Sequence, residues 1–140
     1  MCRKRAMIDI HFEEELWMDK LPYALGDDQV MYYKMYRHGY KILTVYDSGI
    51  VHLDAGSTLA ASSQREQDML YADFYFKYNF CHRFVRPQAQ WFLPRWWNDV
   101  CFYYAPCVQT LTSWAKGNGN RHTIWRAIGD ARRQLQNEGY

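Results

Sequence analysis

The sequence predicts an α/β fold with a short helix and strands in its first part, followed by an aromatic-rich helical tail. Three observations support this prediction. A helical pattern is followed directly by two β-branched segments around a turn. A capping box then opens a region that is helical throughout, and a run of small residues at 54–63 separates the two parts. We therefore divide the chain into residues 1–56 and residues 57–140.

The first part contains one predicted helix and two predicted strands. The run Gly26-Asp27-Asp28 offers an N-terminal cap, and Gly39 suits the position after the end of a helix, so residues 28–38 are predicted to be helical. Residues 40–46 are rich in β-branched and aromatic side chains and predict a strand. A turn and a second strand at residues 50–53 follow.

The second part predicts three helices. A capping box formed by Ser63 and Glu66 opens a helix that should run to about Val85. Pro94 suits the first turn of the next helix, whereas Pro106 should kink or break that helix. The last predicted helix covers residues 121–137. Its apolar stripe consists of Ile124, Ile128, Ala131 and Leu135.

Composition limits the class of function. The chain has 140 residues, about one domain, and its formal charge of +2 disfavours nucleic acid as the main partner. Aromatic residues make up 18%, mostly between Tyr71 and Trp114, which indicates a broad amphipathic surface. The four cysteines form no paired motif, and no continuous apolar segment follows the basic N-terminus. We therefore expect reduced thiols and a cytoplasmic location.

Asp28 and His52 form the candidate site. A helix of eleven residues rises about 16 Å. A strand of seven residues returns over about 23 Å, so the two side chains can converge. A carboxylate at a helix start is stabilised by the helix dipole and can act as a general base, and an imidazole can bind a divalent metal. The simpler interpretation is that Asp27 and Asp28 only cap the helix and His52 is a hydrogen-bonded strand residue.

Four runs of the sequence, taken in order and spacing, resemble the second half of a family-2 glycosyltransferase domain. The runs cover residues 10–17, 24–34, 38–42 and 49–52. They match an acidic turn, an acidic pair that opens a helix, a short strand and a strand that ends in His. The closing residues 129–140 also resemble the tail of bacterial members of this family.

The resemblance implies an incomplete GT-A (Rossmann-like) domain that transfers a sugar from a nucleotide-sugar donor to a glycan or lipid-linked acceptor, with inversion. By position, Asp28 matches the general base, and Asp27, Trp17 and Lys34 match positions near the acceptor. His52 matches a ligand of Mg²⁺ or Mn²⁺ in the complete domain. The family's nucleotide-binding half and DXD motif are not in this sequence, so we expect a fragment that is inactive alone.

Two other interpretations stay open. The aromatic helices could form a noncatalytic module that associates with a partner or with the inner face of the cell membrane. The uncharged stretch from Val100 to Ala115 is too short to span a membrane, but it could lie in the interface. A zinc module is the third alternative, although its candidate ligands lack paired spacing. These candidates are Cys81, His82, Cys101 and Cys107.

Overall fold

The computed structural model describes residues 4–21, 25–41, 63–89 and 91–140, and every regular element in these ranges is helical. The α-helices are α1 (Lys4–Asp9), α2 (Asp27–Arg37), α3 (Ser63–Phe80), α4 (Phe92–Lys116) and α5 (Asn120–Asn137). Short 3₁₀ helices cover Phe12–Glu14, Leu16–Lys20 and Arg86–Gln88, and a π-helical turn covers Cys81–Val85. None of the helices in the described ranges is long and apolar enough to cross a membrane.

The predicted α/β class, and with it the GT-A fold, is wrong, since the described residues contain no strand. Most of the expected strand segment, residues 42–53, lies outside the described residues. Residue 40, where the first strand is predicted to begin, belongs instead to the end of α2. The backbone N–H of Tyr40 donates to the carbonyl of Met35 at 3.0 Å and caps the helix. Elsewhere in the described ranges, the apolar residues recur with the period of a helix. The apolar faces of these helices therefore pack against one another.

Three predicted helices are confirmed, and each observed end lies within a few residues of the predicted one. Helix α2 begins one residue early and ends in a Schellman motif in which Gly39 has a φ of 77°. Helix α3 opens at the predicted Ser63 and changes to a π-helical turn at Cys81, before Pro87. Helix α5 covers the predicted range, and all four residues of its apolar stripe are buried.

Helix α4 is continuous through Pro106, at which a kink or a break is predicted. Pro94 lies in its first turn as expected, but the helix does not break at Pro106 and continues to Lys116. Pro106 is among the fully buried side chains, so packing holds the helix together where a backbone hydrogen bond is lost. The helix ends at Gly117, which has a φ of 67°.

The main hydrophobic core lies between α3 and α5. Phe74 and Tyr78 of α3 pack in one cluster with Ile124 and Ile128 of α5. Trp17 and Val30, from the first part of the chain, belong to the same cluster, so one core joins both predicted segments. A second, smaller cluster consists of Ala6, Ile10 and Met35. This arrangement fixes α2 against α3, and α2 carries most of the candidate site.

Candidate functional site

The start of α2 depends on Gly26. Its φ of 87° is a left-handed conformation that favours glycine, and a Cβ atom here would lie 2.2 Å from the ring of Phe76. The ring of Phe76 is itself buried, so it cannot easily move aside. This close approach packs the N-terminal end of α2 against α3. Asp27 and Asp28, in the first turn of α2, remain exposed.

Glu15 brings two of the predicted site residues together. Its Oε1 atom lies 2.5 Å from the Nζ of Lys34, and its Oε2 atom accepts a hydrogen bond of 2.7 Å from the indole of Trp17. Lys34 also donates to the backbone carbonyl of His11 at 2.8 Å. Since the side chains of Lys34 and Glu15 are only 16% and 12% exposed, the pair is well shielded from water. No sequence signal marks Glu15 among the three consecutive acids at 13–15.

Trp17 is a core residue in this structure. Only 3% of it is exposed, and its ring stacks on Phe76 at a centroid distance of 5.8 Å. The guanidinium of Arg83 lies 5.3 Å from the centroid of the same ring. Trp17 therefore positions Glu15 and, through it, Lys34, and it offers no open face on which a sugar could stack.

Helical spacing points Asp27 and Asp28 in different directions and separates both from Lys34 along the helix axis. Asp27 lies two turns before Lys34 on the same side of the helix, a separation of about 10 Å along the axis. Asp28 follows Asp27 and points about 100° further around the helix. His52 lies outside the described residues, as does its predicted convergence with Asp28.

An apolar cavity of about 360 Å³ adjoins this helix start. Gln29, the residue after Asp28, forms part of its wall. Most other wall residues are apolar and come from α3, α4 and the π-helical turn, among them Phe76, Phe80 and Phe102. The cavity can therefore take the apolar part of a ligand whose polar end reaches the first turn of α2.

A larger cleft of about 570 Å³ lies between three regions: the last turn of α3 with the short helices that follow it, α4, and α5. Three arginines line it, one from each region, together with one carboxylate. These charged residues are Arg86, Arg95, Arg132 and Asp99. Its aromatic wall includes Tyr78, His82 and Tyr103. Sequence reasoning missed this cleft, because its residues come together only through the packing of the three regions.

Metal-ligand side chains do not cluster in the part of the chain that the structure describes. No three or more His, Cys, Asp or Glu residues lie close enough there to hold an ion. Of the proposed zinc ligands, His82 lines the larger cleft, whereas Cys81 and Cys101 line the apolar cavity. The implied Mg²⁺ or Mn²⁺ site was assigned to His52, outside the described residues.

Comparison of this chain with protein-family models, with curated proteins and with solved structures found no match. The likeness to family-2 glycosyltransferases therefore depends on the order and spacing of its motif residues alone.

Proposed function

We propose that this chain is the acceptor-side part of a glycosyltransferase that transfers a sugar from a nucleotide-sugar donor to a glycan or lipid-linked acceptor. Asp28 takes the proton of the acceptor hydroxyl while the oxygen bonds to the anomeric carbon. The bond between that carbon and the diphosphate oxygen breaks, and the nucleoside diphosphate leaves with inversion. A hydroxyl needs such a base because it is a poor nucleophile while protonated.

The observation that carries this proposal is the position of Asp28. It is exposed in the first turn of an eleven-residue helix, where the helix dipole stabilises negative charge. The helix is held in place by Val30 and Met35, which are buried. An acceptor can therefore reach the carboxylate, and the apolar cavity beside Gln29 suits a lipid-linked acceptor. Fold class does not decide function, so the helical architecture is compatible with this chemistry.

In this proposal the exposed Asp27 contacts the acceptor beside Asp28, whereas Lys34 holds α2 in place. Lys34 is fixed by Glu15 and by the carbonyl of His11, and Asp27 lies two turns before it on the same side. A Mg²⁺ or Mn²⁺ ion, when bound, would neutralise the charge of the departing diphosphate. The resemblance assigns His52 to that ion, and the donor-binding half with its DXD motif must come from other sequence.

The test is a transfer assay with labelled nucleotide sugars. We expect little or no turnover by the chain alone, and transfer when it is fused to the nucleotide-binding half of a family-2 glycosyltransferase. In that active form, Asp28→Asn should lower the rate by at least about 100-fold, the usual contribution of a general base. Asp19→Asn, which changes an exposed acid outside the site, should leave the rate unchanged.

Two results would contradict this proposal. An Asp28→Asn variant that folds normally and transfers sugar at the original rate would remove Asp28 as the base. Robust turnover by the chain alone would show that the donor site does not need other sequence.

A second function, association with an anionic membrane surface, is favoured by one face of α4. Six large apolar residues follow each other at spacings of three or four residues and are 39–70% exposed. They are Trp97, Val100, Tyr104, Val108, Leu111 and Trp114, and we call them the α4 stripe. Tryptophan and tyrosine suit the boundary between lipid and water. Lys116 lies near one end of the stripe and can complement anionic headgroups.

Vesicle flotation tests the membrane proposal. We expect the chain to float with vesicles that contain phosphatidylglycerol, and less with pure phosphatidylcholine. The double variant Trp97→Ala/Trp114→Ala should weaken binding by about tenfold or more, because each exposed ring loses its burial in lipid. Tyr36→Ala removes an equally exposed ring from α2 and should have no effect. Flotation that is unchanged in the double variant would exclude the stripe as the contact.

A further inference from the structure

The larger cleft gathers positive charge from three separate regions of the chain. Arg86 follows the π-helical turn after α3, Arg95 lies in the second turn of α4, and Arg132 lies near the end of α5. Like charges that converge in this way repel each other unless an anion lies between them. Asp99 is the one acidic side chain among the lining residues, and it pairs with Arg86 at 3.5 Å.

Arg95 and Arg132 keep hydrogen-bonding capacity for a ligand. Arg95 uses its Nε atom to donate to the carbonyl of Ala89 at 2.7 Å, and its two Nη groups take no part in that bond. Arg132 is exposed on α5. A guanidinium has five donors in a planar fork that matches the oxygens of a phosphate group. The cleft therefore presents several such donors and an excess of two positive charges from its lining side chains.

The wall of the cleft is aromatic and uncharged at neutral pH. His82 stacks on Tyr78 at a centroid distance of 4.0 Å. Burial lowers the pKa of His82, and the nearby Arg86 and Arg132 act in the same direction. Burial, with a smaller effect from Tyr103, raises the pKa of Tyr78 to about 12. The wall thus supplies rings and neutral polar groups, while the arginines supply the charge.

We propose that this cleft binds a phosphomonoester, with its phosphate at the three arginines and its organic group against Tyr78, His82 and Tyr103. A phosphomonoester carries a charge of about −1.5 to −2 at neutral pH, which matches the excess charge of the cleft. At about 570 Å³ the cleft has room for more than a phosphate group. The ligand is either a soluble phosphomonoester or the headgroup of a lipid such as phosphatidic acid. This inference does not depend on the proposed sugar transfer.

The test is titration of the full chain with phenyl phosphate and with inorganic phosphate, and flotation with vesicles that contain phosphatidic acid. We expect saturable binding of phenyl phosphate, weakened about tenfold by Arg132→Gln, because one charge-assisted hydrogen bond is lost. Arg133→Gln is the matched control, since it removes the same charge from the next position of α5 outside the cleft. It should leave binding within twofold.

Asp99→Asn gives a prediction of opposite sign. It removes the negative charge of the cleft and releases Arg86, so binding should strengthen by at least about threefold. A headgroup ligand is indicated if only the phosphatidic acid vesicles bind and Arg132→Gln abolishes that binding. The proposal is overturned if no probe binds, or if Arg132→Gln and Arg133→Gln weaken binding equally in variants with unchanged helical content.

Discussion

At the scale of single residues, Arg83 joins the candidate site to the end of the chain. Its side chain is only 8% exposed and forms an ion pair with Glu138. Its Nε atom donates to Asn79 at 3.2 Å, and its guanidinium lies 4.9 Å from the ring centroid of Tyr140. Arg83 also contacts the ring of Trp17, and Trp17 in turn holds Glu15, which pairs with Lys34. The position of Glu15 and Lys34 therefore depends on the buried charge of Arg83. No pattern in the sequence distinguishes Arg83 from the exposed arginines.

The ion pair between Arg83 and Glu138 predicts a pH dependence of stability. Burial raises the pKa of Glu138, but hydrogen bonds from Arg83 and Gln134 outweigh burial and hold the pKa below its usual range. A carboxylate whose pKa is lowered on folding stabilises the protein above its unfolded pKa of about 4.3 and loses this effect as pH falls through the folded value. The contribution should therefore be complete at neutral pH and absent in strong acid.

Urea unfolding of Glu138→Gln measures this contribution. At pH 7 we expect the free energy of unfolding to fall by about 1 kcal/mol, a modest figure because the Glu138 side chain is 37% exposed. At pH 2 the difference between the variant and the original chain should be much smaller, because the contribution is lost as pH falls through the lowered pKa of Glu138. Asp19→Asn serves as the control and should show no such difference at either pH. An equal loss from Glu138→Gln at both pH values would be inconsistent with the ion pair.

At the scale of elements, the sequence predicts those helices that have a cap signal or a regular apolar stripe. Gly26-Asp27-Asp28 and Gly39 mark the ends of α2, Ser63 and Glu66 give α3 a capping-box pattern, and α5 has its apolar stripe. Helix α1 has six residues, and the two 3₁₀ helices after it have three and five, which is too short for a recognisable period. The contact between Glu15 and Lys34 could not be predicted, since it depends on how these short elements turn.

Helix α4 and the fold class show two further limits of sequence reasoning. A proline inside a helix normally interrupts it, but the burial of Pro106 is a tertiary effect that the local sequence does not contain. The α/β prediction relied on the strand pattern of residues 40–53 and on the family resemblance. Tyr40 instead packs on the smaller cluster, which includes Met35. This contact favours the capped C-terminal end of α2 over a strand at residue 40.

At the scale of the whole molecule, the two hydrophobic clusters differ in extent. The larger cluster links α3 and α5 and reaches Trp17 and Val30. The buried residues of the smaller one come from α1, Ile10 and α2, and Phe12 packs against both clusters. The larger cleft and the α4 stripe are both built on helices that pack against the larger cluster. The N-terminal elements therefore have fewer buried contacts, and they should open more easily than α3 and α5.

Two core substitutions with comparable loss of side-chain volume test this difference. Ile124→Ala in the larger cluster should lower the free energy of unfolding by about 3 kcal/mol and reduce hydrogen-exchange protection throughout α3 and α5. Met35→Ala in the smaller cluster should increase exchange in α1 and at the end of α2, while protection in α3 and α5 is kept. Amide exchange followed by mass spectrometry, together with urea unfolding, measures both effects. If both variants lose protection equally in α3 and α5, the two clusters unfold as one unit and the N-terminal elements have no separate opening.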